Sequence, residues 1–208
     1  MNFENLTIVI TTFHSHDKIF KCLNSINPEI SVIIVENSND QLFKDSIEKK
    51  YKNVKCILSK ENLGYAKGNN VGLSYVSTKY ALILNPDVVI EKNTLNNFFL
   101  IVENIPDFAI LAPEIQEEEN YSNENINDIS KLTEVKKVKG FAMFLNLAQF
   151  NHIGFFDDNF FIYLEETDLC KRLINDNKKI FLHSDLRFHH LGGSSHNKSI
   201  NFEMELSR

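Results

Sequence analysis

The sequence has 208 residues, of which 43% are hydrophobic and 24% charged, a composition typical of a folded chain and not of disorder. The formal net charge is −6, and no run of Lys and Arg is long enough to follow a phosphate backbone, which disfavours nucleic acid as a partner. The three cysteines lie far apart among apolar residues, so we expect buried thiols and neither disulfides nor a zinc site.

Short apolar runs rich in β-branched residues recur along the chain and predict strands. They are LTIVIT (6–11), ISVIIV (30–35), VKCIL (54–58), YALIL (80–84) and FAILA (108–112). Between them, SHDKIFKCLNSI, DQLFKDSIEKKY and NTLNNFFLIVENI have the apolar spacing of helices, and Ser15 is the expected N-cap of the first. The alternation predicts the α/β class, with a mostly parallel central sheet flanked by helices.

The composition changes between Gln116 and about Thr133, where Glu, Asn and Ser dominate, and we interpret this segment as a mobile surface loop. Beyond it lie GFAMFLNL (140–147), a short helix around 148–152, and two longer apolar segments at 155–174 and 178–195. No internal repeat or second core is evident, so we expect one domain. No apolar segment approaches the roughly 20 residues that span a bilayer, and membrane contact is expected to be peripheral if it occurs.

Polar residues interrupt the chain where four predicted strands end. The interruptions are Thr11-Thr12, Glu36-Asn37-Ser38, NLGYAKGNN (62–70) and Asn85-Pro86-Asp87. Each alone is explained by a strand cap or a turn. Ligands of open parallel sheets bind beyond the carboxyl ends of the strands, so four polar interruptions at one edge favour a binding site.

Asp87 is a hard oxygen ligand of the kind that Mg²⁺ or Mn²⁺ takes from proteins, completing its shell with water and substrate phosphate. Pro86 restricts the turn and can aim that carboxylate out of the sheet, although a turn without a ligand is the alternative. The two glycines of NLGYAKGNN permit close approach of a ligand, but their spacing matches neither a dinucleotide fold nor a P-loop.

Two further segments carry titratable side chains. LEETDL (164–169) places Glu165, Glu166 and Asp168 at the start of a helical pattern, where the helix dipole explains them as well as a general base does. FHHLGGSS (188–195) places His189 and His190 before a glycine turn, where imidazole can bind a metal ion or a phosphate. Adjacent residues of an extended segment point opposite ways, so one of the two is expected to face a site, and a surface pair is the alternative.

Taken in chain order, a set of these segments resembles the family 2 glycosyltransferases, in their rhamnosyltransferase-like branch, over about residues 5–195. The segments are VITTFHS, VIIVENSND, ENLGYAKGNNVGL, LILNPDV, VKGFAMF, IGFFDDNFFIYLEETDLCKRL and HHLGGSS. The resemblance implies the GT-A type nucleotide-diphospho-sugar transferase fold, with helices on both faces of the sheet. It also divides the single domain of residues 1–208 into a nucleotide-sugar-binding half (1–115), the flexible acidic loop (116–133) and a C-terminally short acceptor and catalytic half (134–208).

The resemblance further implies a dTDP- or UDP-linked sugar donor, a divalent metal (Mg²⁺ or Mn²⁺) and inversion at the anomeric carbon. Asp87 matches the metal ligand of the family's Asp-x-Asp-type motif, with Asn85 in place of the first acid, and His189 or His190 matches a histidine that approaches metal and diphosphate. The implied nucleotide-sugar contacts are Thr11, Thr12, Phe13, Glu36, Asn37, Asn62, Gly64, Lys67, Gly68, Asn69, Asn85, Asp87 and Gly140.

Glu166 matches the presumed catalytic base, with Glu165 as a substitute and Asp168 beside them. Glu166 and Glu36 each stand where the family usually has Asp, so we expect altered fit before lost activity. The implied function is transfer of rhamnose or another sugar to a bacterial surface glycan, lipopolysaccharide, O-antigen or capsule, in the cytoplasm or at the inner face of the membrane, with a homodimer left open.

The competing hypothesis is a catalytically silent nucleotide-sugar-binding subunit that supports a partner transferase, motivated by the two substitutions and the short C-terminal half. A sugar-phosphate nucleotidyltransferase is disfavoured because the chain lacks a glycine-rich, basic N-terminal loop.

Overall fold

The computed structural model describes residues 3–114 and 131–191, and within them strands and helices alternate as the sequence predicts. The strands are β1 (Leu6–Thr12), β2 (Ser31–Glu36), β3 (Val54–Leu58), β4 (Tyr80–Leu84), β5 (Val88–Ile90), β6 (Phe108–Pro113), β7 (Leu132–Glu134), β8 (Ala142–Asn146), β9 (Lys179–His183) and β10 (Phe188–His190). The α-helices are α1 (His16–Asn24), α2 (Gln41–Lys50), α3 (Gly64–Leu73), α4 (Thr94–Val102) and α5 (Glu165–Asn175).

The central sheet has the strand order β3-β2-β1-β4-β8-β6-β9-β7. Its β3, β2, β1 and β4 pair in parallel, as do β6 and β9, whereas β8 runs antiparallel between β4 and β6 and β7 is an antiparallel edge strand. Four of the seven neighbouring pairs are thus parallel, and the prediction of a mostly parallel sheet is confirmed.

Both faces of the sheet are covered by helices, because the parallel strands are apolar on both sides. On one face, Ile8 and Ile10 of β1 belong to a core that includes side chains of α1, α2 and α4. On the other face, Val9 belongs to a core that includes side chains of α3 and α5. Every residue of β1 is buried, which explains why its sequence, apart from Thr7, is apolar until the two threonines at its end.

A second, two-stranded sheet pairs β5 with β10 in antiparallel register. His190 lies opposite Val88, and the backbone N–H of Leu191 donates to the carbonyl oxygen of Asp87 at 2.9 Å. This pairing brings the C-terminal histidine segment to the turn that follows β4, although more than a hundred residues separate the two in sequence. Three-residue strands carry no clear sequence pattern, so neither β5 nor β10 could be predicted.

Some boundaries differ from the predictions. The loop predicted for 116–133 falls mostly outside the described residues, and its end is wrong, because Leu132–Glu134 forms β7 against β9. The short helix near 148–152 is a 3₁₀ helix at Leu147–Phe150. Ser15 precedes α1 as expected, but its hydroxyl donates to the carbonyl oxygen of Phe13 and caps no helical N–H.

All three cysteines are buried and unbridged, which confirms the expectation of buried thiols. In the part of the chain that the structure describes, none of the helices combines the length and the apolar character needed to cross a bilayer.

Candidate active site

The ends of β1 and β4, neighbours in the sheet, open onto a cavity of about 350 Å³. Its wall comprises Thr11, His14, Ser15, Asp17, Lys18, Tyr65, Asn85, Pro86, Asp87 and Ile162. A cavity of this size is at the lower end of the range for small-molecule sites. Thr11, Asn85 and Asp87 are the predicted binding residues that line it, so the turn after β4 and the end of β1 do share one site.

Asp87 lies on the cavity wall with 13% of its side chain exposed, between an imidazole and an ammonium group. Its Oδ1 is 3.4 Å from Nε2 of His190, and its Oδ2 is 3.9 Å from Nζ of Lys18. The backbone N–H of Val88 donates to the carbonyl oxygen of Asn85 at 3.2 Å, which closes the turn around Pro86. The polar triplet therefore ends β4 in a turn that presents one carboxylate to the cavity.

The two histidines differ in position. His190 contacts Asp87, and its ring packs edge-on against Phe141 with 5.9 Å between centroids. His189 pairs opposite Val89 on β10, and adjacent residues of a strand point to opposite faces. The geometry thus brings His190, and not both residues, to the carboxylate.

The donors at Asp87 fit a divalent ion whose shell the substrate completes. A carboxylate oxygen and an imidazole nitrogen lie 3.4 Å apart, and Oδ1 of Asn85 is buried without a hydrogen-bond partner among the described residues. Within the same residues, no group of three His, Cys, Asp or Glu side chains could hold an ion alone. Mg²⁺ and Mn²⁺ commonly take few ligands from protein and the rest from water and phosphate, so the residues fit such an ion and not an all-protein cage.

Glu36 does not line the cavity. It is fully buried at the end of β2, and its carboxylate accepts hydrogen bonds from the backbone N–H of Ser38 (3.0 Å), the Ser38 hydroxyl and the backbone N–H of Asp40 (2.8 Å). These bonds fix the loop that leads into α2. In this geometry the Glu36 carboxylate is bonded within the loop that follows β2, and the nucleoside contact that the resemblance implies for Glu36 stays a prediction.

The threonines and Phe13 at the end of β1 occupy three different environments. The Thr11 hydroxyl donates to Oδ1 of Asn69 at 3.1 Å, whereas Oγ1 of Thr12 is buried and has no hydrogen-bond partner in the described ranges. The ring of Phe13 is 47% exposed and lies 4.3 Å from that of His14, between centroids. An exposed aromatic ring beside the cavity offers a stacking surface for a base.

The segment 62–70 is held mainly by packing against the sheet. A Cβ on Gly68 would lie 2.6 Å from Cγ2 of Thr11, so glycine is needed for α3 to approach β1. Nδ2 of Asn37 donates to the carbonyl oxygen of Gly64 at 3.0 Å, which ties the end of β2 to the start of α3. Asn62 accepts from the backbone N–H of Gly64 at 3.1 Å, and Lys67 is exposed. Neither Lys67 nor Asn62 is among the residues of the cavity wall.

The three acids at the start of α5 have three different environments. Asp168 accepts from Nε of Arg172 at 2.7 Å, and Arg172 also donates to the carbonyl oxygens of Ile153 (3.0 Å) and Phe155. Asp168 is therefore part of a structural clamp on the preceding loop. Glu165 is buried, one of its carboxylate oxygens has no partner in the described chain, and burial raises the pKa of its carboxyl, with Glu166 adding to the effect.

Glu166 is half-buried, and its Cβ lies 3.7 Å from the position that a Cβ on Gly140 would take. The Tyr65 hydroxyl donates to the carbonyl oxygen of Gly140, and Tyr65 also lines the cavity. Burial raises the pKa of that phenol, with Glu165 and Glu166 contributing, so the hydroxyl stays protonated. Tyr65 thus links the wall of the cavity to the segment that packs against Glu166.

Sequence reasoning missed Lys18 and Tyr65 among the residues of the cavity wall. Both sit in the first turns of helices that follow strands, where helix N-termini of an open parallel sheet face the ligand crevice. The position of each residue just after a predicted strand, in SHDKIFKCLNSI and in NLGYAKGNN, is the signal in the sequence that indicates them.

The sheet order, the helices on both faces and the cavity at the strand ends define a nucleotide-diphospho-sugar transferase fold of the GT-A type. The chain belongs to glycosyl transferase family 2, whose family model matches residues 7–170. The expectations for fold and family are confirmed.

Two curated relatives are glycosyltransferases by name. The low-salt glycan biosynthesis hexosyltransferase Agl10 of Haloferax volcanii is 25% identical over 199 residues, which cover 85% of this chain and 64% of that protein. The rhamnosyltransferase WbbL of Escherichia coli K12 is 26% identical over 203 residues, which cover 81% of this chain and 76% of that protein. The chain therefore spans less than two thirds of the length of Agl10.

Two solved structures share the fold. S. aureus TarS 1–349, which has also been solved with UDP and with UDP-GlcNAc, superposes with a TM-score of 0.69 at 19% identity, covering 88% of this chain and 59% of that one. The mannosyltransferase PcManGT of Pyrobaculum calidifontis, solved with GDP-Man and Mn²⁺, has a TM-score of 0.70 at 11% identity, covering 88% of this chain and 55% of that one. At these identities the similarity shows the fold alone.

Proposed function

We propose that the chain is an inverting, metal-dependent glycosyltransferase that moves a sugar from a nucleotide-diphosphate donor to a hydroxyl of a surface-glycan acceptor. The observation that carries the proposal is the placement of Asp87, beside His190 and Lys18, on the wall of a cavity at the strand ends of a family 2 domain. The solved relatives that hold UDP, UDP-GlcNAc and GDP-Man support a nucleotide-sugar donor.

The donor of first choice is dTDP-rhamnose or a related deoxysugar, and a UDP-sugar is the competing choice. The support is the similarity to the rhamnosyltransferase WbbL together with Asn85-Pro86-Asp87 in place of an Asp-x-Asp motif. A bacterial lipopolysaccharide, O-antigen or capsule precursor is the proposed acceptor class, supported by one relative named for glycan biosynthesis and another named as a rhamnosyltransferase. Transfer would take place in the cytoplasm, at the inner face of the membrane.

In the proposed reaction, the acceptor oxygen forms a bond to the anomeric carbon while the bond from that carbon to the diphosphate oxygen breaks. Glu166 takes the proton of the attacking hydroxyl, and the electron pair of the broken bond leaves with the nucleoside diphosphate. Glu165 carries a raised pKa and an unpartnered buried oxygen, so it is the poorer candidate for an ionised base that solvent and acceptor can reach.

Asp87 and His190 would hold the divalent ion, which when bound supplies positive charge to the departing diphosphate. A PcManGT complex that contains Mn²⁺ supports this part of the proposal. The exposed apolar residues Phe161, Ile162, Tyr163 and Leu164 lie between the cavity and α5, and they offer the surface on which a lipid-linked acceptor could rest.

A second candidate is a catalytically silent subunit that binds a nucleotide-sugar for a partner transferase. Glu36 favours it, because this carboxylate is bonded within its own loop instead of lining the cavity. The two candidates differ in turnover and not in binding.

The test of the shared donor site is thermal stabilisation by UDP, dTDP, GDP and CMP, each with and without Mn²⁺. Binding to the native state raises the unfolding temperature by mass action, so no acceptor is needed. We expect a Mn²⁺-dependent rise with one of the nucleotides, and we expect Asp87→Ala to lose it. If none of the four nucleotides raises the unfolding temperature, with or without Mn²⁺, the proposed donor site is overturned.

A further inference from the structure

Tyr65, the second residue of α3, lines the cavity and contacts three other segments of the chain. Its backbone N–H donates to the carbonyl oxygen of Phe161 at 2.7 Å, and its ring packs edge-on against Phe156 with 6.0 Å between centroids. Its hydroxyl donates to the carbonyl oxygen of Gly140, two residues before β8 begins. The backbone, the ring and the hydroxyl of Tyr65 are therefore each held by a different neighbour.

Gly140 and Phe141 adjoin both groups of residues that the proposed reaction needs. A Cβ on Gly140 would lie 3.7 Å from Cβ of Glu166. The carbonyl oxygen of Phe141 accepts a hydrogen bond from the backbone N–H of Asn85 at 2.9 Å, and the Phe141 ring packs edge-on against that of His190. This dipeptide therefore packs beside the proposed base and also beside the proposed metal site.

The Tyr65 hydroxyl ties this dipeptide to α3. Glycine is the most permissive residue of the backbone, so the position of Gly140 depends on the bonds that its backbone makes. Burial raises the pKa of the Tyr65 phenol, with Glu165 and Glu166 adding to the effect, and the hydroxyl keeps the proton that it donates. Removal of the hydroxyl would take one hydrogen bond from the Gly140 carbonyl oxygen and allow the dipeptide to shift.

Such a shift matters because a general base acts only within hydrogen-bond reach of the proton that it takes. A misplacement on the order of 1 Å can cost about 10²-fold in rate. We propose that Tyr65 is a positioning residue that holds Glu166 at its working distance from the proposed metal ligands, acting through the Gly140-Phe141 dipeptide. This inference rests on the proposed function, since it assumes that Glu166 is the base of the transfer. Tyr65 contributes to the rate of transfer and not to donor affinity.

The test is a double-mutant cycle that compares Tyr65→Phe, Glu166→Gln and the variant that carries both changes. The rate is the release of nucleoside diphosphate from dTDP-rhamnose, UDP-GlcNAc or GDP-mannose with Mn²⁺, with water as the acceptor. Calorimetry gives the affinity for the matching nucleoside diphosphate. Tyr75→Phe is the matched control, because the Tyr75 ring is 48% exposed and lies outside the cavity wall that the described residues form.

We expect Tyr65→Phe to lower kcat roughly 10- to 100-fold, while KM and diphosphate affinity stay near those of wild type. In the Glu166→Gln background the same change should have no further effect, because the carboxylate that Tyr65 positions is already lost. Loss of one hydrogen bond should lower the unfolding temperature by roughly 1–6 °C, so Tyr65→Phe stays folded in the assay. Tyr75→Phe should turn over the donor as wild type does.

A wild-type rate in Tyr65→Phe would overturn this inference and leave the proposed function intact. It would also be overturned if the losses of Tyr65→Phe and Glu166→Gln multiply, because Tyr65 would then act independently of the base. A loss confined to donor affinity would overturn it as well, since Tyr65 would then be a donor ligand. A wild type that turns over none of the three donors would instead refute the proposed function, and the inference would fall with it.

Discussion

Gly64 is the point at which α3 meets the loop before α5, and its replacement by alanine tests how these elements build the cavity. Its φ is +73°, and a Cβ there would lie 2.2 Å from the backbone oxygen of Phe161. That oxygen accepts the hydrogen bond of the Tyr65 backbone N–H at 2.7 Å. Tyr65 follows Gly64 directly, Ile162 follows Phe161 directly, and both line the cavity.

The expected cost of Gly64→Ala combines several effects. A left-handed conformation costs an alanine about 1–2 kcal/mol, loss of one hydrogen bond about 0.5–1.5, and forced displacement of a packed group about 1–3. Alanine also restricts the unfolded chain more than glycine does, and this effect stabilises the fold by about 0.4–1 kcal/mol. The free energy of unfolding should therefore fall by about 1.5–6 kcal/mol, which lowers the unfolding temperature of a chain of this size by roughly 3 °C or more.

Urea and thermal unfolding of wild type and Gly64→Ala measure this loss. Gly140→Ala is the matched stability control, because the nearest atoms would lie 3.7 Å from its Cβ, an ordinary packing distance. We expect Gly140→Ala to lose no stability and to gain up to about 1 kcal/mol, because alanine restricts the unfolded chain more than glycine does. A Gly64→Ala protein as stable as wild type, or a Gly140→Ala protein that loses as much, would refute the reasoning.

Two further outcomes follow from α5. Arg172→Met removes the hydrogen bonds to Asp168 and to two loop carbonyl oxygens, so the free energy of unfolding measured in urea should fall by about 1.5–4 kcal/mol. A fall of less than about 0.5 kcal/mol would contradict the structural role of these bonds. Burial raises the pKa of Glu165, so the folded chain binds this proton more tightly than the unfolded chain, and the group destabilises the fold as pH rises above the ordinary carboxyl range. The free energy of unfolding of Glu165→Gln should therefore rise relative to that of wild type as the pH increases from about 4 to about 8. A difference that stays constant over that interval would contradict the raised pKa of Glu165.

Continuous apolar runs predicted the strands well. VKCIL and YALIL match β3 and β4 residue for residue. All five residues of β4 are buried, so that strand leaves no charged position inside it, whereas β3 lies at the edge of the sheet and exposes Lys55. The edge strand Leu132–Glu134 was missed, because its pattern is polar and its place depends on pairing with β9. A strand buried in the core has an apolar pattern that the local sequence shows. A polar edge strand depends on pairing with one neighbouring strand, which the local sequence does not show.

The candidate site was predictable where it depends on strand ends and not where it depends on side-chain reach. Thr11, Asn85 and Asp87 line the cavity because each stands at or just beyond the carboxyl end of a parallel strand. Glu36 stands at such an end too, yet its carboxylate turns back to its own loop, an outcome set by hydrogen-bond partners at Ser38 and Asp40. No spacing rule contains that information.

Long-range pairing decided the remaining residues. His190 reaches Asp87 because β10 pairs with β5, which the sequence could not show. The i,i+4 spacing of Asp168 and Arg172 was visible in the sequence and is typical of a helical ion pair, which the structure forms, and a catalytic role of Asp168 stays a prediction. Residues 192–195, the glycine turn after the histidines, lie outside the described ranges.

Donor turnover tests the proposed catalysis most directly. The measurement is release of nucleoside diphosphate from dTDP-rhamnose, UDP-GlcNAc and GDP-mannose with Mn²⁺, water serving as the acceptor, for wild type, Glu166→Gln, Glu165→Gln and the exposed control Glu134→Gln. We expect wild type and Glu134→Gln to turn over one donor, and Glu166→Gln to be slower by roughly 10²- to 10⁴-fold, the usual contribution of a general base, with donor affinity kept. Turnover that survives in Glu166→Gln, or a wild type that binds a donor and releases no product from any of the three, would contradict the role of Glu166 as the base of a glycosyltransferase.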